Sequence, residues 1–144
     1  VNMKKVLFIL GANLKYLGQR EKNIYGSKPI DEIYEAMNKI SDKVQIEMLA
    51  TNSEGEIIDA IMEKDYDALI INPGAYTHYS LAIYDALRAK EDKFKVEVHM
   101  TNVYKREDFR QQMATSGGAD AIIMGMGEMS YYLAVKAICD YFSL

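Results

Sequence analysis

Two stretches of the chain carry side chains able to move protons. In Val96–Thr101, VEVHMT, the residues alternate, so that Val96, Val98 and Met100 point one way while Glu97, His99 and Thr101 point the other. A carboxylate beside an imidazole fixes the ring's tautomer and favours its protonated form, as a proton donor near neutral pH requires. The same pair also serves as a plain structural hydrogen bond, and the hexapeptide does not choose between the two. The second stretch is Gly11–Gly26, GANLKYLGQREKNIYG, which sets Asn13, Arg20, Glu21 and Tyr25 among three glycines. Connections between elements usually need about 2–6 residues, so this one is too long and too polar to be a plain linker, and it reads as a mobile lid carrying chemistry.

Smaller signals lie around these two. His78 stands in PGAYTHYS, where it is either a ligand contact or an ordinary histidine of a helix N-terminal loop. Lys105, Arg106 and Arg110 in YKREDFRQQ form a charge run that either faces solvent or, being just past His99, offers guanidinium groups to a hydroxyl or carboxylate of a ligand. Two histidines and one cysteine leave a zinc site dependent on carboxylates at unsupported spacings, so no metal and no cofactor is expected. Gly125-Met126-Gly127 begins like a dinucleotide fingerprint, but Ser130 occupies the third glycine position and the motif follows the last strand. A tight strand-to-helix turn explains it better.

These residues need a scaffold. Val6–Leu10, VLFIL, is an unbroken apolar run suited to a parallel strand buried on both faces. Ile30, Ile33, Tyr34, Met37 and Ile40 recur at helical spacing, and Val44–Leu49 reads as a second strand. Ser53 followed by Glu56 forms a capping box for a helix with Ile57, Ile58, Ile61 and Met62 inward. Ala68–Ile71 gives a third strand, a helix runs from about Ser80 to Lys90, Val96–Met100 gives a fourth strand, and a short helical turn near Asp108–Met113 precedes a fifth strand at Ala121–Met124 and a helix to Phe142. Strands alternating with helices predict an α/β, flavodoxin-like three-layer sandwich with a five-stranded parallel sheet. In such sheets ligands bind beyond the carboxyl ends of the strands, which is where Asn13, Asn72, His78, His99, Thr101 and Asn102 fall.

At 144 residues one domain spanning 1–144 is expected, large enough to fold without a staple. The single Cys139 sits in an apolar run and suits packing as a small hydrophobe in a reducing cytoplasm. No run reaches about 18 apolar residues, so no membrane segment or export signal is expected. The net charge of −4, with 17 basic residues scattered among 21 acidic ones, argues against nucleic acid and leaves room for a small anionic ligand.

Taken together, the motifs resemble the type II dehydroquinases (3-dehydroquinate dehydratases). The resemblance rests on Gly11-x-Asn13-Leu14-x-x-Leu17-Gly18-x-Arg20-Glu21-x-x-Ile24-Tyr25-Gly26, then Asn72-Pro73-Gly74-Ala75-Tyr76-Thr77-His78, then Glu97-Val98-His99 with Asn102, and Arg106-Glu107-x-Phe109-Arg110. It implies an anti elimination of water from 3-dehydroquinate through an enolate, without a Schiff base or metal. By motif position, Tyr25 is the implied base for the C2 proton, Arg20 its activator, and His99, oriented by Glu97, the acid for the departing hydroxyl. Asn13 is implied to hold a water at the enolate oxygen. Asn72, His78 and Arg110 are implied to bind ring hydroxyls, the backbone of Met100 and Thr101 the carboxylate, and Asp85 to act from a neighbouring subunit of a trimer-based homododecamer.

A free tyrosine titrates near about 10, so a tyrosine base at neutral pH needs roughly 4 kcal/mol of differential stabilisation. One cation at ~4 Å supplies about 1 kcal/mol in water and about 4 at an effective dielectric near 20. Arg20 therefore suffices only where water is excluded, which a closing lid carrying both residues achieves. Leu10 and Ala12 stand where the family usually has asparagine and proline, Lys15 and Lys22 replace a frequent asparagine and a usual proline, Tyr84 an arginine and Ala121 a glycine. The Leu10 and Ala12 changes keep a rival reading open, a non-catalytic module that binds a polyhydroxylated acid or scaffolds an assembly. A flavin- or phosphate-binding module would want a Ser/Thr-rich loop after the first strand, which the sequence lacks.

Overall fold

The computed structural model describes residues 3–17 and 28–144. Five strands, β1 (Lys4–Leu10), β2 (Val44–Ala50), β3 (Ala68–Asn72), β4 (Phe94–His99) and β5 (Ala121–Met124), form one parallel sheet in the order β2-β1-β3-β4-β5. Among the described residues four α-helices connect and close it: α1 (Ile30–Asn38), α2 (Glu54–Glu63), α3 (Leu81–Ala89) and α4 (Met129–Tyr141). This is the flavodoxin-like sandwich that the alternation of patterns predicts.

The period-two pattern of β1 sorts the core into two halves. Val6, Phe8 and Leu10 pack with Ile33 and Met37 of α1 and Tyr131, Ala134 and Ile138 of α4. Leu7 and Ile9 pack with Ile57 and Ile61 of α2 and Ile83 and Leu87 of α3 on the other face. Cys139 packs against the first cluster, as its apolar surroundings suggest. The inward set of α2 differs from the expectation at one place. Met62 is exposed and Ala60 takes the buried position, because Ile57, Ala60 and Ile61 already cover the sheet-facing stripe.

Helix starts follow local chemistry. The Ser53 hydroxyl accepts from the Glu56 backbone N–H at 3.1 Å, but Glu56 does not reach back to Ser53 itself. Its carboxylate takes the Thr51 hydroxyl at 2.8 Å, and Thr51 accepts from the Ser53 N–H at 3.0 Å, so the capping box closes through a third side chain. Ser80 caps α3 by accepting from the Ile83 N–H. Beyond β5 the turn into α4 uses positive φ at Gly125 and Gly127, the tight connection expected of Gly-Met-Gly. Among the described residues no helix is long and apolar enough to cross a membrane.

Candidate active site

Every strand of the sheet points its carboxyl end the same way, and the loops there converge on a pocket of about 140 Å³. Two of those loops interlock through glycines. At Gly11 a Cβ would lie 2.1 Å from the Pro73 carbonyl oxygen, and at Gly74, with φ +65°, a Cβ would lie 2.7 Å from the Ala12 oxygen. Only glycine permits this approach. The turn after β1 is thereby locked against the turn after β3, and Asn13 is carried into the pocket wall in a left-handed conformation, φ 68°, that asparagine tolerates. Its backbone N–H donates to the Asn52 side-chain oxygen at 2.8 Å.

β3 delivers Asn72 and the following 3-10 turn Gly74–His78 delivers His78. The Asn72 side-chain oxygen accepts from the Gly74 N–H at 3.0 Å, and its amide donates to the buried Tyr131 hydroxyl at 2.9 Å. Asn72 lines the pocket and, of the two hydrogens of its amide, the second is left to offer the pocket a donor. His78 Nδ1 lies 2.8 Å from the Gln112 carbonyl. A carbonyl only accepts, so this nitrogen holds the proton and Nε2 is left as an acceptor. Burial holds the His78 ring below the ordinary imidazole range; the Gln112 carbonyl works in the opposite direction, and the nearby charges of Arg110, His99 and Arg106 add to the lowering.

The end of β4 presents His99, followed by Met100 and Thr101, all in the pocket wall. His99 Nε2 lies 2.7 Å from an oxygen of Glu97, which is wholly buried on the same face of the strand. Thr77 at 3.0 Å and Ser116 at 2.6 Å donate to that same oxygen, Oε2, and Thr115 donates to Oε1 at 2.6 Å. Burial pushes the Glu97 carboxyl up, but the hydrogen bonds from His99, Ser116 and Thr115 and the His99 charge outweigh it, and the group titrates below the ordinary carboxylate range. An ionised acceptor on Nε2 leaves Nδ1 as the His99 nitrogen available to the pocket. The two imidazoles thus have opposite proton patterns, His78 donating through Nδ1 to Gln112 and His99 through Nε2 to Glu97, so that a second proton taken up at His99 Nδ1 is the one able to pass into the pocket.

The loop after β4 adds two guanidinium groups. Arg106 and Arg110 both line the pocket, with Glu107 3.0 Å from Arg110 Nε and 3.7 Å from Arg106 Nε. Of the charge run, Lys105 stays outside. The pocket therefore suits a small, hydroxyl-rich anion.

The profile of the family described as Dehydroquinase class II matches residues 4–139. The chain belongs to the class II dehydroquinases. Among its relatives in this family, it is 43% identical over 136 residues to the 3-dehydroquinate dehydratase of Thermotoga petrophila, covering 93% of this chain and 94% of that one. It is 44% identical over 143 residues to that of Clostridium perfringens strain 13, covering 95% and 97%. The type II dehydroquinase of Butyrivibrio crossotus superposes with a TM-score of 0.91 at 41% identity, over 94% of this chain and 97% of that one. That of Propionibacterium acnes gives 0.86 at 32% identity, over 97% and 99%.

Of the residues singled out in the sequence of this dehydroquinase, Asn13, Asn72, His78, His99, Met100, Thr101 and Arg110 come together around one pocket, with Glu97 directly behind His99. Asp85 does not join them: it is exposed on α3 and away from the pocket. Asn102 turns aside to accept from the Tyr104 N–H. Arg20 and Tyr25 lie outside the described residues. Sequence reasoning singled out Glu97 but not its hydroxyl donors Thr77, Thr115 and Ser116, since hydroxyls at such separations form no pattern along the chain. It weighed Arg106 in a charge run and in the family motif without giving it a role of its own.

Proposed function

We propose that this chain dehydrates 3-dehydroquinate to 3-dehydroshikimate by anti elimination. The observation that carries the reading is His99, held through Nε2 by a buried, ionised Glu97 and lining an arginine-bearing pocket in a class II dehydroquinase chain. Tyr25, activated by Arg20, takes the C2 proton. The C–H electron pair becomes the enolate, whose oxygen is met by a water on Asn13. Collapse of the enolate expels the hydroxyl β to the ketone, which receives a proton from His99 Nδ1 and leaves as water.

Binding follows from donor and acceptor matching. Asn72 donates to one ring hydroxyl, His78 Nε2 accepts from another, and Arg110 supplies a charged donor. The backbone at Met100 and Thr101 takes the carboxylate. Asp85 acts on a neighbouring copy, in keeping with its exposure on α3 in the single chain and with assembly into trimers within a dodecamer.

The decisive experiment follows the enone absorbance of the product when purified protein is given 3-dehydroquinate. Turnover abolished by Tyr25→Phe and by His99→Ala is expected. Absence of product, or activity that survives Tyr25→Phe, overturns the reading.

A further inference from the structure

We propose that Thr115 and Ser116, neither of which lines the pocket, are positioning residues for the elimination: their hydroxyls hold Glu97 as a carboxylate and so fix the His99 proton pattern. The inference rests on reading His99 as the proton donor. Each hydroxyl has one proton, and Thr115 and Ser116 spend theirs on the two oxygens of Glu97 at 2.6 Å. Thr77 has one proton to share between Glu97 Oε2, at 3.0 Å, and Thr115, whose oxygen is 2.8 Å away and, having donated, accepts, so Thr115 and Ser116 are the two donors committed to the carboxylate. Among the described residues His99 is the one titratable side chain in hydrogen-bonding contact with Glu97.

The segment Gln112–Ser116 also reaches the other imidazole. Its Gln112 carbonyl sets the His78 tautomer, and the Thr115 N–H donates to the Thr77 carbonyl at 3.2 Å. Thr77 faces inward to Glu97 while the next residue, His78, faces the pocket. One short piece of chain outside the pocket therefore braces both histidines in opposite tautomers. It is itself anchored on α3, because Gly118 comes so close that a Cβ there would be 2.7 Å from Leu87 Cβ and 3.2 Å from the Tyr84 carbonyl oxygen.

With fewer donors, a buried carboxylate takes up a proton more readily. That proton has an acceptor in reach at His99 Nε2; the ring then carries only its Nδ1 proton as a neutral imidazole, a far weaker acid than the doubly protonated ring whose Nε2–H an ionised Glu97 holds, and the Nε2–H is lost. Nitrogen-15 spectra of labelled histidine test this directly, because the chain has only two histidines. The intact protein is expected to show His99 protonated on Nε2 and His78 on Nδ1. In Thr115→Val the His99 pattern shifts while that of His78 stays, kcat falls about tenfold to hundredfold, and KM changes less than about twofold. Thr115→Ser, which keeps the hydroxyl, restores both. Should Thr115→Val fail to fold, Ser116→Ala carries the same test at the second oxygen.

A Thr115→Val kcat within about twofold of the intact protein, or a Ser variant as impaired as the Val variant, overturns the proposal. So does a fall in kcat with an unchanged His99 spectrum. The spectra need no substrate. If 3-dehydroquinate is not turned over at all, the dehydratase reading falls, and the His99 pattern in Thr115→Val still decides the brace: shifted upholds it, unchanged removes it.

Discussion

Gly11→Ala is the most exacting test of how the pocket is built. The added Cβ would meet the Pro73 carbonyl oxygen at 2.1 Å and its carbon at 2.5 Å, both backbone atoms that no rotamer change can move. Ordinary contact begins near 3.4 Å, so the turns after β1 and β3 must separate by 3.4 − 2.1 = 1.3 Å. Overpacking of this kind costs about 1–3 kcal/mol, equivalent to a melting temperature lower by roughly 2–12 °C in a chain of this size. The separation also parts Asn13 from Asn72 and His78, and a misplacement near 1 Å is worth up to about 10²-fold in kcat. Steady-state kinetics with 3-dehydroquinate and thermal unfolding measure the two effects together. Gly55→Ala is the control: its Cβ meets only the Ser53 hydroxyl oxygen, at 3.7 Å, and alanine there stabilises α2 by about 0.5 kcal/mol. Wild-type kcat and melting temperature in Gly11→Ala would show that the interlocked turns do not position the site.

Three further outcomes follow from charge and placement. The folded Glu97 titrates below its ordinary 4.5, so its stabilising contribution is whole above that pH and is lost as pH falls through the folded value; Glu97→Gln is expected to flatten that part of a plot of melting temperature against pH. His78 titrates below its ordinary 6.5 and must be neutral to accept a hydroxyl, so KM is expected to rise by up to roughly tenfold per pH unit once pH drops below the folded value, an effect that His78→Gln removes. If Asp85 serves a neighbouring copy, mixing Asp85→Ala with His99→Ala subunits and reassembling them restores about a quarter of the sites, whereas a residue acting within its own chain restores none.

The sheet was legible because burial on both faces leaves continuous apolar runs such as Val6–Leu10, and alternation in Val96–Thr101 put Glu97 and His99 on one face as the structure does. Pocket membership followed from the rule that ligands meet the carboxyl ends of parallel strands. What the sequence hid was whatever depends on distant partners. Thr77 and Thr115 are 38 positions apart, yet their hydroxyls touch, and neither has a local signature. Thr51 is a local case: just past β2, it accepts from Ser53 and donates to Glu56, a closure that the serine–glutamate spacing alone does not specify. Leu10, noted in the sequence as a departure from the family pattern, is a fully buried member of the α1 and α4 side of the core, so its identity bears on packing.

The Asn72–Tyr131 hydrogen bond gives this chain an optical property. It has eleven tyrosines and no tryptophan, so its near-ultraviolet absorbance is not masked by indole. Tyr131 is fully buried, meets Phe8 edge-on at 5.3 Å, and accepts from the same amide whose other hydrogen faces the pocket. A ligand oxygen drawing on that second hydrogen polarises the amide and, through it, the phenol. Pocket occupancy is then expected as a tyrosine difference spectrum that saturates with ligand and loses its Tyr131 share in Tyr131→Phe, allowing binding to be titrated in a His99→Ala protein without a label and without turnover.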